Sequence, residues 1–147
     1  MRTCILWFRN NLRLGDNWPV MQAYMNYDLV IPVYIDAGSQ HNQKWVNGPR
    51  GEFREAFLID SLMELNAGLM TYDSELVFLR ETQSVNTLQS LAMEVGAMAI
   101  IGPKEFTFNE VFQEETLKHW GKSKGIEIEF YNEKTLFLQR DLPFKLN

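Results

Sequence analysis

Thr3-Cys4-Ile5-Leu6-Trp7-Phe8 is a short, nearly continuous apolar run, and Arg9-Asn10-Asn11 follows it at once. Apolar residues without alternation, ended by polar ones, are the pattern of a strand buried on both faces. Just beyond, Pro19 stands where a first helical turn would begin, with Asp16 or Asn17 as the cap, and a helix is predicted through about Tyr27. Leu29 to Ile35 is a second apolar run. Pro32 within it predicts some irregularity or a less central strand. Residues 36–50 carry Gly38, Ser39, Asn42, Gly48 and Pro49 and read as a long loop.

The alternation continues down the chain. A helix is predicted from about Gly51 to Leu69, with Leu58, Leu62, Leu65 and Leu69 on one face. Glu75 to Leu79 reads as a third strand. Ser84 to Val95 reads as a helix with Val85, Leu88, Ala92 and Val95 on one face and Gly96 as its stop. Ala97 to Ile101 is a fourth buried strand. Thr107-Phe108-Asn109-Glu110 fits a capping box, and Phe106 with Val111 fits the accompanying hydrophobic staple. That helix runs to about Gly121 or Gly125. Ile126-Glu127-Ile128-Glu129-Phe130 alternates, as a strand nearer an edge does.

Strands alternating with helices imply an α/β fold, a parallel sheet covered on both sides, and right-handed crossovers limit its topology. A Rossmann-like three-layer sandwich with a five-stranded parallel sheet in the order 3-2-1-4-5 is expected, and it would put strands 1 and 4 side by side. In such sheets ligands bind where the strand order reverses, beyond the carboxyl ends of the strands. The loops expected to meet there are Arg9–Asn17 and Gly102–Asn109.

Composition bounds the reading. The chain has 147 residues, 46% hydrophobic and 13% aromatic, which suits one folded domain. No apolar run approaches the roughly 18 residues that cross a bilayer, and the N-terminal run is too short for a signal peptide. The lone Cys4 excludes an internal disulfide and a multi-cysteine metal site. A soluble cytoplasmic protein without a membrane partner is expected. A net charge of -5 disfavours a free-standing nucleic-acid binder. Arg9 with Arg13, and Lys118, Lys122 and Lys124, read as solvated faces and helix C-terminal charge.

Catalytic signatures are missing. No GxGxxG follows the first strand, and no GxxxxGK[ST] or GxSxG occurs. His119 suits a helix end, His41 an exposed loop, and Cys4 an inert buried thiol. Among Glu105, Glu110, Glu114 and Glu115, the capping box accounts for Glu110. Glu114, four residues before Lys118, suits a solvated helix face. A paired-carboxylate acid/base site drawn from them lacks a nucleophile or metal ligand beside it. The residues alone give an α/β domain with a switch-point pocket, no catalytic group and no metal site.

Some segments resemble a known family. Trp7-Phe8-Arg9-Asn10-Asn11-Leu12-Arg13-Leu14-Gly15-Asp16-Asn17 resembles the WFRNDLRLHDN opening of DNA photolyases and cryptochromes. Gly51-x-x-Arg54-x-x-Phe57-Leu58-x-x-Ser61 is similar to their GxxRxxFLxxS helix, and Ser74-x-Leu76 to their GSxL. Lys104-Glu105, Asn109-Glu110 and Glu114-Glu115 resemble the KE…EE…EE segment of the cryptochrome DASH branch, and Asp141-Leu142-Pro143-Phe144 its DLPF. Asn11 stands for the family's Asp and Gly15 for its His. Asp73 stands for the Gly before Ser-x-Leu, and Arg80-Glu81 lies where a Gly is usual. Asn11 thereby loses a negative charge that could pair with an Arg of its loop.

The resemblance implies an N-terminal α/β domain over residues 1–140, with 141–147 the start of a linker to an absent helical domain that holds FAD and contacts DNA. An excised domain is favoured over a naturally short relative. The implied role is to support an antenna chromophore, methenyltetrahydrofolate or a deazaflavin, and to pack on the FAD domain. The parent would be a deoxyribodipyrimidine photo-lyase or a cryptochrome photoreceptor. The chain itself would be non-catalytic, without direct DNA binding. Asp36, Glu105, Asn109 and Glu110 are the implied chromophore contacts. In the isolated chain they are expected to hold no pigment and to be solvent-exposed. The alternative is a stand-alone Rossmann-like module binding a small ligand or another protein, which a stop codon after Asn147 would favour.

Overall fold

The computed structural model describes residues 1–37, 51–81 and 83–134. His41, most of the long loop and the DLPF segment lie outside the described residues, as does the expected linker at 141–147.

Five parallel strands form one sheet in the order β3-β2-β1-β4-β5, the expected Rossmann-like order. They are β1 (Thr3–Phe8), β2 (Leu29–Asp36), β3 (Val77–Arg80), β4 (Ala99–Pro103) and β5 (Glu127–Tyr131). Four helices connect them: α1 (Trp18–Asn26), α2 (Glu52–Met70), α3 (Ser84–Glu94) and α4 (Phe108–Lys124). β1 pairs with β2 on one side and with β4 on the other, with Cys4 opposite both Val30 and Ala99.

Every residue of β1 and of β4 is buried, because helices cover both faces. Cys4, Leu6 and Phe8 point to one face and meet Ala23 of α1 and Leu65 and Leu69 of α2, with Leu58 and Leu62 packed at the margin. Ile5 and Trp7 point to the other and meet Leu88 and Ala92 of α3 and Leu117 of α4. Fully burying one such large side chain stabilises by about 1.5–3 kcal/mol.

The local signals act as physical chemistry requires. Asn17 is the cap of α1, its Oδ1 accepting the Val20 N–H at 3.2 Å, with Pro19 in the first turn. Gly125 ends α4 at φ 70°. A Cβ on Gly121 would stand 2.6 Å from the Ile126 carbonyl oxygen, so glycine lets β5 return tightly beneath α4. Pro32 marks the local irregularity expected of it. It lies in β2, an interior strand, opposite Leu6. Pairing with β3 begins only at Val33, so on that side the missing N–H costs the sheet no ladder bond.

Asp73, which stands where the family has Gly, adopts φ 54° after α2. The left-handed conformation costs an ordinary residue about 1–2 kcal/mol, and aspartate less because its short polar side chain bonds locally; glycine's extra unfolded-state freedom returns about 0.4–1 kcal/mol. The two terms nearly cancel, and Asp73→Gly is expected to change stability by less than about 1 kcal/mol in urea unfolding.

On the α1 face, the half-buried Glu129 accepts hydrogen bonds from the hydroxyls of Tyr27 (3.5 Å) and Tyr131. Burial, and then the Glu129 charge, push the Tyr27 phenol from an ordinary 10.0 up to about 12. Burial and the Glu129 hydrogen bond raise Tyr131 too. Both phenols are thus held protonated by folding. Their stabilisation is complete below the unfolded pKa and is lost as pH rises through the folded one. Stability is expected to fall from pH 10 to 12, and Tyr27→Phe to make that fall shallower. Denaturant midpoints across this range check it; equal slopes would count against it.

Candidate functional site

The two loops expected at the switch point do meet, across the carboxyl ends of β1 and β4. Side chains of the chain itself join them. Arg9, the residue after β1, donates from Nη1 to Glu114 Oε1 of α4 at 2.8 Å and from Nη2 to Gln113 Oε1 at 3.3 Å. Its guanidinium also lies over the Trp7 ring, 4.4 Å from the centroid, where the negative π face suits a cation. The Arg9 and Glu114 side chains are only 7% and 2% exposed. Glu114 Oε1 further accepts the backbone N–H of Glu105 at 2.8 Å.

Glu105 is itself 1% exposed. It accepts from Asn10 Nδ2 at 3.0 Å and from the ammonium of Lys134. The neighbouring Glu133 accepts the backbone N–H of Trp18 at the start of α1 (2.8 Å) and Asn11 Nδ2 (3.1 Å). A carboxylate suits a helix N-terminus, where free N–H groups and the positive end of the dipole converge. Residues 133 and 134 therefore tie the exit of β5 to both loops of the switch point.

Glu110 lies where the capping box puts it. Its Oε2 accepts the Thr107 backbone N–H at 3.3 Å and the Thr107 hydroxyl at 2.7 Å. The staple positions Phe106 and Val111 are both exposed. Asn109 and Glu110 are half-buried in the first turn of α4. Asp36 ends β2, beside Arg80 (Oδ2 to Nε, 3.8 Å), and its carbonyl accepts the Glu81 N–H. β1 lies between β2 and β4, so roughly 10 Å of sheet separates Asp36 from the α4 group.

Several sequence readings need correction. Asp36 and Glu105 are buried, at 6% and 1% exposure, rather than solvent-exposed, because each has a cationic neighbour that makes burial tolerable. Glu114 is not on a solvated face and Arg9 is not a solvated charge; each is the other's buried partner. Lys118 pairs with Glu115, three residues before it. His119 does not reach the helix end; its Nδ1 lies 2.8 Å from the Glu115 carbonyl within α4. The Arg9–Glu114 pair had one legible signal: Glu114 shares a helix face with the buried Leu117 and Gly121. Asn11 loses no Arg partner, since Arg9 is taken by Glu114 and Arg13 donates to the Asp16 carbonyl.

A DNA photolyase family model matches residues 4–145. The chain belongs to the DNA photolyase family. It is 35% identical to the blue-light photoreceptor PHR2 of Arabidopsis thaliana, over 99% of this chain and 32% of that protein. It is 34% identical to the chloroplastic/mitochondrial cryptochrome DASH of the same plant, over 95% of this chain and 25% of that one. The Synechocystis cryptochrome structure superposes with a TM-score of 0.85 at 28% identity, over 99% of this chain and 30% of that one. A Sulfolobus tokodaii photolyase, solved with two FAD molecules and an implied light-harvesting cofactor, gives 0.80 at 26% identity, over 97% and 32%. The chain thus corresponds to the α/β domain of this family and spans a third or less of these relatives.

Removing one partner of a buried ion pair costs about 3–5 kcal/mol, because the other charge stays buried. Arg9→Met is expected to cost that much in urea unfolding, and Arg9→Met with Glu114→Leu less than the two single changes added. A cost under about 1 kcal/mol would put the pair with solvent-screened surface pairs instead.

Proposed function

We propose that this chain is the N-terminal module of a photolyase- or cryptochrome-like flavoprotein, supporting an antenna chromophore at the rim formed by the first turn of α4. The observation that carries the reading is the placement of Asn109 and Glu110. In a chain of this family they sit half-buried at the carboxyl edge of the sheet, beside a switch point already filled by other side chains. The residues fit a planar heterocycle such as a reduced folate. An amide both donates and accepts, and a carboxylate accepts from ring N–H groups. The cap engages Glu110 Oε2, and a carboxylate has a second oxygen with its own lone pairs.

In this reading the chromophore supplies light absorption and passes excitation to FAD, which belongs to a further domain. The chain's residues bind, orient and exclude water; they move no proton and break no bond. Asp36 and Glu105, each beside a cation, shape the scaffold and do not face the pigment. Direct DNA contact is assigned to the further domain, in keeping with the net charge of -5 here.

A rim on one domain encloses a ligand on one side only, whereas ligands of this size bind with most of their surface buried. Each 1.4 kcal/mol lost is tenfold in affinity. The purified 147-residue chain is expected to show only protein absorption. The product of the whole reading frame is expected to carry flavin and a second pigment. A near-ultraviolet or visible band from the short chain would show that this domain encloses a pigment alone. A whole product without pigment would overturn the proposal in favour of a stand-alone module.

A further inference from the structure

Glu105 and Glu114 are among the most completely buried side chains of the protein, and both stand beside the rim. Glu114 lies one turn beyond Glu110 on α4. It reaches back to the Glu105 N–H and across to Arg9 at the end of β1. Glu105 sends its own carboxylate toward Asn10 and Lys134. Residue 105 is thus held through its backbone and its side chain. It lies in the four-residue connection, 104–107, between β4 and α4. The Lys104 N–H donates to the Tyr131 carbonyl at 2.8 Å, which fixes the start of that connection to β5.

We propose that Glu105 and Glu114 are positioning residues that set the place of Asn109 and Glu110 against the sheet. This rests on the reading that Asn109 and Glu110 face the chromophore. The first turn of α4 starts where the 104–107 connection leaves it, and that connection has little slack. Two carboxylates gather the exits of β1, β4 and β5 onto it. Each accepts a charge-assisted bond from a cation, the stronger kind of hydrogen bond. A shift of either carboxylate moves the Thr107 cap, and the cap carries Glu110 with it.

Backbone amide exchange on the 147-residue chain tests this without any ligand. The reporting amides are those of Glu105, Thr107 and Val111, which donate to Glu114, Glu110 and the Thr107 carbonyl. In Glu114→Gln they are expected to exchange about tenfold faster than any acceleration at Ile5 and Ile100 accounts for, the sign of local opening. Lys134→Met, which leaves the Arg9 pair intact, is expected to give the same pattern and guards against a Glu114 variant that fails to fold. Equal acceleration throughout the protein would mean a general stability role and overturn the proposal. So would acceleration at Glu105 with Thr107 and Val111 unchanged. A loosened rim in a protein whose whole product lacks pigment would keep the positioning role and discard the chromophore, so the two readings fail separately.

Discussion

β1 is hydrogen-bonded on both sides and buried on both faces, and the rest of the molecule is arranged around those two conditions. A strand so enclosed has no route to water except at its ends. The polar residues that follow it must therefore find partners where they emerge. Because the chain leaves β1 toward β2 and leaves β4 toward β5 on the other side, two connections diverge above the carboxyl ends of β1 and β4. A cleft opens there by topology alone. What fills it is then a matter of side chains.

In this protein the filling is ionic. Taking a guanidinium and a carboxylate out of water is costly, and attraction offsets that cost only when the geometry is good and the remaining hydrogen-bonding capacity is used. Glu114 meets the condition by accepting from a charged side chain and a backbone amide together. Among the described residues, no buried side-chain nitrogen or oxygen lacks a partner. The interior of the switch point is therefore a finished polar lattice.

The sequence carried most of the fold and less of the site. The elements and their layering followed from the alternation of apolar runs and helical faces, because both report burial and burial is what the layers are made of; the strand order came from the Rossmann-like pattern and the family resemblance. Thr107 and Glu110 were legible because a capping box is local, spanning four residues. Arg9 and Glu114 were legible only in part: Glu114 shares a helix face with Leu117 and Gly121, but its partner lies 105 positions away. The face reports burial, and nothing near Glu114 in sequence names the arginine that makes burial tolerable. Pro32 was legible as an irregularity but not in its form: its cost depends on how far the neighbouring strand extends, and no residue near Pro32 reports that. Asp36, Glu105, Asn109 and Glu110 came from family resemblance. The structure separates them into a rim pair and two buried carboxylates.

The bond between Asn11 and Glu133 makes two distant positions depend on each other. The Asn11 amide gives one hydrogen to the Glu133 carboxylate and another to Asn17. An aspartate at position 11 would have no N–H to give, and it would set a second carboxylate at hydrogen-bond distance from the first. Asn11→Asp would therefore place two charges face to face and weaken the anion that supports the N-terminus of α1. Residues 11 and 133, 122 positions apart, thus behave as one unit, and neither is free to change charge without the other.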